Sequence, residues 1–124
     1  MKVWIVSRSN CDPRVAAQLR SHYQRPPFLP ENADTSAIDW IFMGGPGPGA
    51  SLHLDYVSRR SWQAQVSGSK TWRLVPPPEC EHVCTGFSVV VNTGDIVLID
   101  TNQWYHDTYV NPGSVSITIG SEYG

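Results

Sequence analysis

An all-β chain, an antiparallel barrel-like double sheet with one short N-terminal helix, is the architecture this sequence predicts. Short β-prone runs recur from Ala37 to the end, eight of them, each closed by a turn signal. Ten glycines and ten prolines among 124 residues supply those turns. A charged share of only 16% beside a hydrophobic share of 40% suits strands that hide most of their side chains. The length allows one domain with one core, and no second.

Residues 1–36 read as a helix and an extended connector, and 37–124 as the β core. Met1 to Val6 is apolar enough for a short strand. Asp12 is a suitable N-cap and Pro13 a suitable first helical residue for a helix over Arg14 to Tyr23, where Val15 and Leu19 recur at helical spacing. Arg25-Pro26-Pro27-Phe28-Leu29-Pro30 forbids regular structure. The predicted strands begin with Ile38 to Met43, closed by the loop Gly44 to Gly49, and continue with Leu52 to Val57 and Ser61 to Val66. In the last of these Trp62, Ala64 and Val66 oppose Gln63 and Gln65. After the turn Ser67-Gly68-Ser69 comes Lys70 to Val75, stopped by Pro76-Pro77-Pro78. Phe87 to Val91 and Ile96 to Asp100, joined by Asn92-Thr93-Gly94-Asp95, read as a hairpin. Trp104 to Val110 and Ser114 to Ser121, split by Asn111-Pro112-Gly113, complete the set. The tryptophans on these strands are expected to fill the core, with a place at the substrate mouth the alternative reading for Tyr56.

A net charge of −2 and the lack of any long basic run give no reason to expect nucleic acid or an anionic membrane as partner. Arg59-Arg60 is the densest basic spot and reads as a solvated turn. The longest aliphatic runs have four residues, such as Ile96 to Ile99, far short of a membrane span. A soluble protein of the cytoplasm or nucleus is the expectation, and three cysteines do not make a disulfide framework. Cys80, His82 and Cys84 offer two thiols and an imidazole, but a structural zinc site needs a fourth ligand, so a surface loop is the favoured reading there.

Chemistry concentrates in His53-Leu54-Asp55. On a strand, residues two apart share a face, so His53 and Asp55 would converge while Leu52 and Leu54 point to the other side. His106 in Trp104-Tyr105-His106 offers a third ligand. Two imidazoles and one carboxylate covering one face of an octahedron suit non-haem iron(II), and the three open positions admit co-substrate and oxygen. The same set can hold a catalytic zinc. Lys70 shares its face with Trp72 and Leu74, and an ammonium pointed into a barrel is costly unless it meets an anion such as a dicarboxylate.

Asp39 to Gly44, Gly49 to Asp55, Ser61-Trp62-Gln63-Ala64-Gln65-Val66-x-Gly68-x-Lys70-x-Trp72-x-Leu74-x-Pro76-Pro77, Gly94 to Ile99 and Trp104-Tyr105-His106 follow one another in an order that resembles the Jumonji-C family. The likeness is strongest to its lysyl- and arginyl-hydroxylase branch and covers about residues 37 to 121. It implies a double-stranded β-helix of the jelly-roll or cupin type, and an iron(II)- and 2-oxoglutarate-dependent oxygenase that hydroxylates a protein or peptide side chain or demethylates it by hydroxylation. His53, Asp55 and His106 correspond to the catalytic iron ligands, and Lys70 to the partner of the distal 2-oxoglutarate carboxylate. Thr118 falls where relatives place a hydroxyl near that carboxylate. Gln63 falls where some place an Asn, and Ser51 stands in for a hydroxyl residue usual at the position of Ala50. Relatives carry longer flanking segments for dimerisation or substrate docking, so the chain is either a minimal member or a fragment, and its oligomeric state stays open. A Jumonji-C binding module without turnover and a cupin-like metalloprotein using another divalent metal are the competing readings.

Overall fold

The computed structural model describes residues 5–33 and 35–123. Among the described residues nine strands form two facing sheets: β1 (Ile5–Asn10), β2 (Thr35–Gly44), β3 (Gly47–Pro48), β4 (Arg60–Ser67), β5 (Lys70–Val75), β6 (Phe87–Val91), β7 (Ile96–Ile99), β8 (Tyr105–Val110) and β9 (Ser116–Tyr123). The first sheet has the order β1-β2-β9-β4-β7 and the second β3-β8-β5-β6, with every pairing antiparallel. The all-β prediction with one short helix holds. Met1 to Trp4 of the first predicted strand lie outside the described residues.

Helix α1 (Pro13–Arg20) starts where the cap predicts: the Asp12 carboxylate accepts the Arg14 amide at 2.8 Å, and Pro13 opens the first turn. Arg14 beside it holds that carboxyl below its usual range. The helix ends at Arg20, earlier than Tyr23, because the Ser21 and His22 amides turn back onto Gln18 and Leu19 and end the ladder. Tyr23 and Leu29 then pack onto the outer face of the first sheet. Tyr23 meets Trp62 edge to face at 5.0 Å, and Leu29, Trp62 and Ala64 form a buried cluster.

Three predicted features come out differently. Leu52 to Val57 is an irregular segment, touching β8 through the single bridge His53–His106. Gly47-Pro48, read as pure loop, forms a two-residue strand against Tyr109 and Val110. Phe87–Val91 and Ile96–Ile99 are not a hairpin: β6 pairs with β5 in one sheet and β7 with β4 in the other. The intervening turn reverses the chain and also carries it across the barrel, anchored by Gly94 N–H to Gln65 O and Gln65 N–H to Asp95 O, both 2.9 Å. Turn residues encode the reversal of direction but not which neighbour the next strand takes.

Both faces of β4 are used. Trp62 and Ala64 lie under the N-terminal connector, whereas Gln65 faces the barrel interior and is 2% exposed. There its side-chain amide donates to Ser116 Oγ at 2.8 Å and to Ser67 O at 2.7 Å, and its Oε1 accepts from the Thr118 hydroxyl at 3.1 Å. This polar network is satisfied inside the barrel, and on the facing sheet Lys70, Trp72, Leu74, Val91 and Val110 are buried.

Candidate metal and co-substrate site

The two ends of the metal triad are brought together by backbone pairing between the irregular segment and β8. Gly49 N–H donates to Thr108 O at 2.8 Å, and Ala50 N–H to Thr108 Oγ1 at 3.1 Å. His53 and His106 then exchange both backbone hydrogen bonds, at 3.1 and 3.0 Å, and Asp55 N–H reaches Thr101 O at 3.0 Å. His53 thus stands opposite His106, and Asp55 turns back over both.

His53, Asp55 and His106 each offer a ligand atom, and these atoms all lie within 4.8 Å of one another. His53 Nε2 is 3.1 Å from Asp55 Oδ1, and His106 Nε2 is 3.7 Å from Asp55 Oδ2. Donors about 2.1 Å from one metal ion at right angles stand about 3 Å apart, close to these separations. The tautomers agree. His53 Nδ1 lies 2.6 Å from Ser51 O and His106 Nδ1 lies 2.9 Å from Trp104 O. A carbonyl oxygen only accepts, so each Nδ1 carries a proton, which leaves each Nε2 as the nitrogen available to a cation beside the carboxylate. Two imidazole nitrogens and a carboxylate at these separations are a donor set able to hold one divalent metal, and the residues fit such an ion on that ground. His106 is nearly enclosed, whereas His53 and Asp55 are about two-fifths exposed, so the ion's open side faces the cavity.

That cavity has a volume of about 410 Å³ and lies between the sheets. Lys70, 7% exposed, lines it from β5, the neighbour of β8 in the same sheet, with Nζ 5.6 Å from the Phe42 ring and 5.9 Å from the Trp72 ring. No carboxylate of the described residues forms an ion pair with it, and burial pushes its pKa down to about 8. Gln63 also lines the cavity, and its buried Oε1 has no hydrogen-bond partner. Thr118 is buried beside the cavity with its hydroxyl given to Gln65. Ser51 is exposed, lies outside the cavity wall, and touches the triad only through its carbonyl. Asp107 faces away from the triad and pairs with Arg73 on the outer surface.

Several functional positions were not singled out from sequence. Phe42 and Trp40 form a stacked pair on the cavity wall, 6.3 Å between ring centroids, and Trp40 is 37% exposed and so is no core residue. Thr108 lines the cavity two residues beyond His106, where strand alternation could have found it. Glu122 also lines it, and nothing in its local sequence marks it. Trp72 stacks on His106 at 5.7 Å and is buried, whereas Trp104 precedes β8 and packs on Phe87. Tyr56, fully exposed, stands at the cavity mouth. Among the described residues, Cys80, His82 and Cys84 form no metal-ligating cluster.

No protein-family model matches the chain. An arginine-specific demethylase of Arabidopsis thaliana is 35% identical over 75 residues, covering 53% of this chain and 15% of that protein. A 2-oxoglutarate and iron-dependent oxygenase of Danio rerio is 23% identical over 121 residues, covering 73% of this chain and 28% of that protein. The chain therefore spans less than a third of the length of either relative. The cupin domain of Drosophila melanogaster CENP-C superposes with a TM-score of 0.57 at 10% identity, over 90% of this chain and 98% of that domain, a likeness of fold alone. No described helix is long and apolar enough to cross a membrane. By sequence the chain is similar to Jumonji-C demethylases and iron- and 2-oxoglutarate-dependent oxygenases, and its fold is a cupin-type double sheet.

Proposed function

We propose that the chain carries the catalytic core of an iron(II)- and 2-oxoglutarate-dependent oxygenase that hydroxylates a protein side chain, or demethylates one by hydroxylation. The observation that carries this reading is the presence of a three-residue donor cluster and an uncompensated buried ammonium in the lining of one cavity. Names of the sequence relatives, an arginine-specific demethylase among them, support a polypeptide substrate.

His53 Nε2, Asp55 and His106 Nε2 would hold iron on one face. Bound there, iron(II) supplies the oxygen activation that couples conversion of 2-oxoglutarate to succinate and carbon dioxide with oxidation of a substrate C–H bond. Lys70 would take the distal carboxylate of 2-oxoglutarate, replacing a bare buried charge with a charge-assisted pair. Gln63 would turn its amide nitrogen onto the same co-substrate, and the Thr118 hydroxyl would reach it by turning from Gln65. The rings of Trp40, Phe42 and Trp72 keep water from that wall and strengthen the charge pairing. Tyr56 would flank the entering substrate. Ser51 would act through the carbonyl that orients His53.

The test uses the full chain with iron(II), ascorbate and 2-oxoglutarate, measuring bound 2-oxoglutarate by calorimetry and succinate by mass spectrometry. Metal-dependent 2-oxoglutarate binding and succinate formation are expected in the parent, with metal affinity falling more than about a hundredfold in His53→Ala or Asp55→Ala. Binding without succinate would identify a module that has lost turnover. Activity persisting in both variants would overturn the metal assignment.

A further inference from the structure

A second cavity, about 260 Å³, lies on the outer face of the first sheet beneath the N-terminal connector. Its walls are apolar: Tyr23, Pro26, Leu29 and Trp62, with Arg20 and Arg25 also contributing. Trp62, Ser121 and Glu122 line this cavity and the metal-facing one alike, so the two adjoin at the ends of β4 and β9. Nothing in the proposed oxygen chemistry uses it.

We propose that this cavity is a docking subsite for the polypeptide whose target side chain enters the metal-facing cavity, and that it takes an apolar side chain followed by a carboxylate. The inference rests on the oxygenase reading for the identity of its occupant. The adjacency of the two cavities at Trp62, Ser121 and Glu122 sets them within reach of one extended chain. A space of this size holds a single leucine- or phenylalanine-sized side chain and is small for a free cofactor.

Charge selects the rest. The first thirty residues carry five Lys and Arg against one carboxylate, whereas the remainder carries four against ten. Within this basic unit Arg20 is already matched, its guanidinium lying 3.0 Å from the fully buried Asp39 carboxylate and bonded to Ser36 O. Arg25 is not matched in this way. Its Nη groups donate to Leu29 O and Pro30 O, neutral acceptors that hold the guanidinium in place without cancelling its charge. No carboxylate of the described residues pairs with it. A carboxylate on the residue after the apolar anchor would reach that charge, and Glu122, where the cavities meet, repels an acidic residue placed one step too early.

The experiment is an NMR titration of the uniformly 15N-labelled full chain with three blocked tripeptides, N-acetyl-Leu-Asp-Glu-amide, N-acetyl-Ala-Asp-Glu-amide and N-acetyl-Leu-Lys-Lys-amide, without iron, 2-oxoglutarate or oxygen turnover. The first is expected to give saturable shifts at the Trp62 indole N–H and the Tyr23 amide. The alanine peptide should bind about tenfold more weakly, and the lysine peptide and the Arg25→Glu variant about fivefold more weakly. Arg25→Gln, which keeps donors for the two carbonyls and removes the charge, should behave like Arg25→Glu. Equal affinity for all three peptides, shifts away from Trp62 and Tyr23, or N-acetyl-aspartate binding as tightly as the first peptide would each overturn the proposal. Because no metal is present, that failure would leave succinate formation intact, and loss of succinate formation would leave this titration unchanged.

Discussion

Lys70 carries a cost in stability that the proposed pairing with a co-substrate would offset. With its pKa lowered from 10.5 to about 8 by burial, the ammonium opposes folding by about 3 kcal/mol wherever both states hold the proton, which includes neutral pH. The unfolded chain binds this proton more tightly, so between pH 8 and about 10 the folded state loses it first and stability rises with pH. Tyr23 reverses the trend above pH 10, because burial raises its pKa to about 12 and the unfolded chain ionises it first. Urea midpoints of the chain without co-substrate should therefore rise from pH 8 to 10, and Lys70→Met should flatten that rise while stabilising the chain at pH 7. The same variant should lose 2-oxoglutarate affinity by calorimetry with metal binding retained. In the parent, affinity should fall about tenfold per pH unit above 8, as the free site loses the charge that the carboxylate needs. Lys70 was legible in sequence because an ammonium is expensive to bury without purpose, and His53, Asp55 and His106 because their residue types and spacing suit a metal. The contact of the Ser51 carbonyl with His53 was not legible in sequence, because backbone geometry and not side-chain type makes it.

At the scale of elements, the segment from Gly49 to Asp55 decides whether the ligands meet. It lacks the strand ladder that alternation suggested, and Leu52, 44% exposed, packs on no core. Few backbone bonds to β8 place it, and one depends on close approach at Gly49, where an added Cβ would stand 3.0 Å from Thr108 O. Gly49→Val should push this segment off β8 and lower metal affinity by about tenfold or more without altering a ligand. Metal titration beside a urea midpoint checks it: unchanged affinity would mean that the segment is held elsewhere. The face sharing predicted for His53 and Asp55 was right for a reason other than a regular strand, namely one bridge followed by a turn onto Thr101.

For the whole molecule, the N-terminal unit is part of the architecture: β1 extends the first sheet, and Tyr23 and Leu29 cap its outer face over Trp62. Trp62→Ala should cost about 3–5 kcal/mol, seen as a lowered urea midpoint, because the aromatic contact and the packing around Leu29 are lost together. Intact stability in that variant would mean that the connector does not depend on the sheet beneath it. The opposite margin differs. Phe87, Val89, Val90 and Leu98 on β6 and β7 are each more than a third exposed, at the outer edges of the two sheets.

What the sequence determined by itself was local or chemically costly: the all-β class from alternation and turns, the Asp12 cap, the order of motifs, and the residue types able to hold a metal and a diacid. Side-chain period and capping act within a few residues and so can be read along the chain. Tertiary structure alone decided which sheet each strand joins, that the second face of β4 turns its glutamines inward, and that Trp40, Phe42 and Glu122 belong to the cavity. Those outcomes depend on register between strands far apart in the chain, as in Phe42 opposite Thr118 and Thr118 opposite Gln65, and no local preference carries that information.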